Sequence, residues 1–136
     1  MERMTAEKAL ALLEQVVAER GKNFIYKGVP SDTIIVSDCV YAVRIGRAAA
    51  TPSCGVGLAV QLWHPATFKR LAKDEELRGG APVEEMFERL GIPLDDGADI
   101  LLTEFQLQQD AGKRYGDALR SAKSVLAEHR RRHPRS

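Results

Sequence analysis

The apolar positions of "TAEKALALLEQVVAERG" recur at three- and four-residue steps. Ala9, Leu10, Leu13, Val16 and Val17 form one stripe, which predicts a helix over residues 5–20. Thr5 suits the N-cap, Glu7 the positive end of the dipole and Gly21 the stop. The period then changes. "NFIYKG" reads as a short strand and "GVPSDT" as turn chemistry. In "TIIVSDCVYAVRIG", Cys39, Tyr41, Val43 and Ile45 alternate with Val40, Ala42 and Arg44, as in a half-buried strand. Ser37-Asp38 is a tight turn or a bulge.

Helical spacing returns in "TPSCGVGLAVQLW". Thr51 is a good cap and Pro52 suits a first helical position, so a helix is expected from there to Trp63, ended by His64-Pro65. Val56, Val60 and Trp63 share a face. Gly55 and Gly57 each cost about 1 kcal/mol against alanine in a helix, which implies another backbone lying close to them. "ATFKRLAKDEELRGG" reads as a short helix or ordered turn. "APVEEMFERLG" is a short helix with Val83, Met86, Phe87 and Leu90 inward and Gly91 as its stop. Ala98, Leu101, Leu102 and Phe105 mark another helix. Tyr115, Ala118, Leu119, Ala122, Val125 and Leu126 mark the last, and the two should form an antiparallel pair across Ala111-Gly112. The expected fold is a single α+β domain over residues 1–128, with a small antiparallel sheet of two or three strands and about five helices. Residues 129–136 read as a basic, frayed tail.

Length and charge narrow the classes. A chain of 136 residues can build one real core without staples. Its net charge of +1 provides no global field to recruit nucleic acid or membrane. Cys39 and Cys54 are too few for a disulfide framework. The first turns carry charge where an export signal would be apolar, so a cytoplasmic location is expected.

Two stretches carry a resemblance. "CVYAVRIG…TPSCGVGLAVQLW" resembles a strand, a turn and a "PSC-x-VG" helix start. "QQDAGKRYGDALRSA" resembles a "QD-x-G-x-x-W-x-x-A" ending. Both are similar to a loose set of small uncharacterised proteins of actinobacterial phages and prophages. In that set a larger apolar residue is common at Gly55 and tryptophan is common at Tyr115. The resemblance implies a phage origin, and so the cytoplasm of a host cell, without implying any chemistry.

Candidate sites are few. A cysteine in the first turn of a helix sits where N–H groups and the dipole can activate a thiol. A nucleophile also needs a base. His64 lies at the far end of the same helix, roughly 15 Å away at 1.5 Å per residue. His129 and His133 lie in or beside the tail. Cys54 is therefore read as a small buried hydrophobe. "CGVG" has neither phosphate-loop spacing, so close packing is the expected use of its glycines. His129 and His133 have the i, i+4 spacing of a metal pair, but Arg130, Arg131 and Arg132 between them would repel a cation. No metal or cofactor is expected. The acidic clusters Asp74-Glu75-Glu76, Glu84-Glu85-Glu88 and Asp95-Asp96 read as solvated faces and caps.

Trp63 and Phe68 either close the core or form a partner patch. Arg130, Arg131, Arg132 and Arg135 could touch phosphates, although the rest of the domain is slightly acidic without them. The expected function is that of a small phage-type accessory protein binding a host or phage protein. The alternative is a nucleic-acid-binding accessory protein using the last helix and tail. A cysteine-dependent enzyme centred on Cys54 comes third.

Overall fold

The computed structural model describes residues 2–27, 41–43 and 49–134. In chain order the elements are α1 (Ala6–Arg20), β1 (Ala42–Val43), β2 (Thr51–Pro52), α2 (Gly55–Trp63), α3 (Pro65–Arg78), α4 (Val83–Arg89), α5 (Asp96–Asp110) and α6 (Tyr115–Arg132). The α+β class therefore holds, with six helices and a two-stranded antiparallel sheet among the described residues. Ala42 pairs with Pro52 and Val43 with Thr51.

α1 forms as its pattern requires. The Thr5 hydroxyl accepts from the Lys8 N–H at 3.2 Å, and Gly21 ends the helix at φ 99°, where a side chain would be strained. Ala9, Leu13 and Val16 are buried, with Ala6 and Leu12 beside them. The chain end is tied down by Met4, whose N–H donates to Pro93 O and whose carbonyl accepts from Asp95 N–H. α5 and α6 lie antiparallel. A Cβ built on Gly97 at the start of α5 would touch Ala6 and Leu126, the latter near the end of α6. The core gathers around Leu13, Leu101, Leu102, Phe105, Tyr115 and Met86.

Several expectations are corrected. The helix does not begin at Thr51. Thr51 and Pro52 form β2, and the Ser53 N–H donates to Tyr41 O, so ladder pairing with residues 41–43 overrides the local cap signal. Pro52 is tolerated there because the strand is an edge. "PATFKRLAKDEELR" is a full 14-residue helix, with His64 ending α2 and capping α3. Of "NFIYKG", the described residues 23–27 contribute an isolated bridge, Ile25 to Arg114. Of the strand expected over residues 39–45, Ala42–Val43 is present, while Cys39, Val40, Arg44, Ile45 and the Ser37-Asp38 turn lie outside the described residues. Val125 is 40% exposed instead of facing inward. Helix α6 runs on to Arg132, so residues 129–132 form its last turn.

Two side chains on α5 carry buried polar atoms without a partner among the described residues, Glu104 at Oε2 and Gln106 at both amide atoms. Gln106 is 4% exposed, so its whole amide is orphaned in the interior. An orphaned buried amide costs about 1–3 kcal/mol. Gln106→Met keeps the chain length and removes that cost. It should raise stability by about 1–2 kcal/mol, read as a higher denaturation midpoint at unchanged slope. A lower midpoint would show that the amide is satisfied in solution.

Candidate functional site

The stretch that begins α2 lies at the most polar point of the interior. Cys54 takes the N-cap position, and its Sγ accepts from the Gly57 N–H at 3.4 Å. Sulfur is a weak acceptor, so the cap is reinforced from elsewhere. The Gly55 N–H donates to Gln109 Oε1 at 2.8 Å, and the Tyr115 hydroxyl donates to the same oxygen at 2.6 Å. Arg20 Nη1 reaches Ser53 O at 2.6 Å and the Tyr115 hydroxyl oxygen at 3.1 Å. Its Nη2 reaches Pro52 O at 3.2 Å. The Tyr26 and Ser53 hydroxyls share a bond of 2.5 Å. The guanidinium also lies over the rings of Phe24 and Tyr115, at 5.5 and 6.0 Å from their centroids. Tyr115 is held edge-on between Phe24 and Phe105.

Two glycines make this approach possible. A Cβ on Gly57 would run into the Tyr41 peptide, with Tyr41 C at 2.8 Å, and one on Gly55 would lie 2.5 Å from Phe105 Cε1. The close packing expected from their helix cost is present, against a strand backbone and an aromatic ring.

The electrostatics oppose nucleophilic chemistry. Cys54 is 1% exposed, and burial pushes its thiol up from 9.0 to about 12 against the opposing N–H bonds of Gly57 and Val56. Burial likewise raises the Tyr115 and Tyr26 hydroxyls. His64 sits at the other end of α2, where its Nδ1 accepts from the Thr67 N–H at 3.2 Å, which leaves the proton on Nε2.

The remaining candidates are scattered. Phe68 is 2% exposed and belongs to the core, which corrects its place in a surface patch. Trp63 is half-buried against the core, at the opposite end of α2 from Cys54. Arg131 and Arg132 both pair with Glu128, at 2.5 and 3.0 Å, and Arg130 reaches Glu7 at 3.5 Å. Arg135 lies outside the described residues. The rings of His129 and His133 lie 4.8 Å apart between centroids. Among the described residues no cluster of three metal-ligating side chains occurs.

One acidic cluster is not simply solvated. Glu75 accepts from the Tyr41 and Ala42 N–H groups at 2.9 and 3.0 Å, fastening β1 to α3. Burial raises its carboxyl, and the two N–H donors oppose that shift. Asp74 holds Arg89 at 3.3 Å. Arg20, Gln109 and Glu75 were not singled out by sequence pattern. Their backbone partners lie 32 to 54 residues away, and the one local hint is an arginine beside the glycine that stops α1.

No known protein family, curated protein or solved structure matches the chain. Among the described residues no helix is long and apolar enough to cross a membrane.

The thiol offers a direct check. In a Cys39→Ser background, Cys54 should alkylate at least about a thousandfold more slowly than in the unfolded chain, because reaction waits for opening of the fold. The rate should show no thiol titration in the folded state between pH 7 and 9, because a group of pKa about 12 stays protonated there. Fast labelling with a midpoint near the ordinary thiol value would contradict this geometry.

Proposed function

We propose that this chain is a phage-type accessory protein that acts by binding another protein, of the phage or its host, and not by catalysis. The observation that carries the reading is how its reactive groups are used. Cys54 caps α2, His64 caps α3, Glu75 holds β1, and Arg20, Tyr115 and Gln109 hold the approach to α2. Each is committed to backbone groups or to one another, and the Cys54 thiol is buried with a raised pKa. The phage assignment rests on the "PSCGVG" and "QQDAGKRYGDALRSA" resemblance. The nucleic-acid reading through the C-terminal helix is weakened by the pairing of Arg130, Arg131 and Arg132 with Glu7 and Glu128.

The test is affinity capture from host and infected-cell lysates with immobilised protein, with and without nuclease. The expected result is a specific protein retained after nuclease and eluted by competing free protein. Loss of every specific band with nuclease would favour the nucleic-acid reading. Turnover that disappears in a folded Cys54→Ala variant would establish the enzyme reading instead.

A further inference from the structure

We infer that the corner where the turn after α1 meets the turn before α6 is a docking surface for an acidic protein partner, an inference that rests on the protein-binding reading above. Four cations gather there: Lys22 and Lys27 on one segment, Lys113 and Arg114 on the other, all exposed. The segments are joined by backbone. The Tyr115 N–H donates to Phe24 O at 2.9 Å, and the Gly116 N–H to Lys22 O at 2.8 Å. A Cβ on Gly116 would lie 3.0 Å from Lys22 Cβ, so the contact is close. Ile25 bridges antiparallel to Arg114. The hydrogen bond flanking that bridge makes it a non-hydrogen-bonded pair, in which side chains approach most closely.

The side chains alternate as a strand requires. Phe24 and Tyr26 turn inward, to the Tyr115 ring and the Ser53 hydroxyl, while Ile25 and Lys27 face out. Ile25 is 41% exposed, so an apolar centre lies beside four positive groups.

These cations are unlike those of the C-terminal helix. None of the four has an ion pair among the described residues, whereas Arg130, Arg131 and Arg132 all do. The nearby carboxylates are engaged: Asp117 pairs with Arg120 at 3.0 Å, and Asp110 accepts from Gln109 Nε2 at 3.1 Å. Arg20, beneath the corner, is occupied by the Ser53 and Pro52 carbonyls. A positive patch around an apolar residue complements a negative surface with an apolar contact at its centre. The inward turn of Phe24, Tyr26 and Tyr115 removes the aromatic platforms on which unpaired bases would stack, so a protein partner is favoured over a nucleic acid.

The probe is fluorescently labelled poly-L-glutamate, titrated into the full chain at low salt and compared with a labelled DNA oligonucleotide of similar length. Two variants are measured: Lys22→Glu with Lys113→Glu and Arg114→Glu, and Arg131→Glu with Arg132→Glu. All these side chains are exposed, and circular dichroism checks that both variants stay folded. The corner variant should weaken poly-L-glutamate binding about tenfold or more, the helix-end variant should change it little, and DNA should bind no more tightly than the polypeptide. Equal losses in the two variants would overturn the proposal, as would absence of poly-L-glutamate binding. Tighter DNA binding lost in the corner variant would reassign the surface to nucleic acid. If a lysate partner survives nuclease but is held equally well by the corner variant, the corner is wrong while the protein-binding reading stands.

Discussion

The structure depends on one absence, the missing side chain of Gly57. The first turn of α2 lies against the Tyr41 peptide, at a separation that leaves no room for a Cβ. That same Tyr41 carbonyl accepts from Ser53 N–H, so the strand pair and the helix start share one backbone group. From there the chain is fastened on both sides. The Tyr41 hydroxyl donates to Ala81 O at 2.5 Å, and Glu75 accepts from the Tyr41 N–H. On the other side, Gly55 opens α2 toward Phe105 and Gln109, and Arg20 and Tyr115 close the cluster. α1, α2, α5 and α6 therefore meet at one polar point within an otherwise apolar core.

That arrangement bears on function through what it consumes. Buried polar groups cost little when satisfied and much when not, so a network of this kind fixes geometry at the expense of reactivity. A thiol capping a helix from the interior is a structural group. The cations that ring Ile25 are held by an ordered backbone but bonded to nothing among the described residues. The interior accounts for how the chain folds, and the corner beside it offers the surface from which binding is argued.

Much of this was legible in the sequence, where apolar period and cap chemistry coincide. α1, α4, α5 and α6 follow their stripes, and Gly21 and Gly91 end helices at positive φ. The helix cost of Gly55 and Gly57 correctly signalled close packing. What misled was local chemistry overruled by distant pairing: Thr51 and Pro52 look like a helix start, yet residues 42 and 43 claim them for a ladder. The site was less legible still. Arg20, Gln109 and Tyr115 are far from Ser53 and Gly55 in sequence, and no periodicity records a bond that only the folded chain brings into reach. Phe68 stood open between core and partner patch, and α3, which opens at Pro65, turns it into the core.

The measurement that bears most directly on this account is the stability of Gly57→Ala by chemical denaturation. On an open helix surface alanine would stabilise by up to about 1 kcal/mol. Under the Tyr41 carbonyl it should force α2 and β1 apart and destabilise by about 1–3 kcal/mol, seen as a lower midpoint at unchanged slope. A higher midpoint would mean that the helix start is not packed against the strand, and the central contact described here would be wrong.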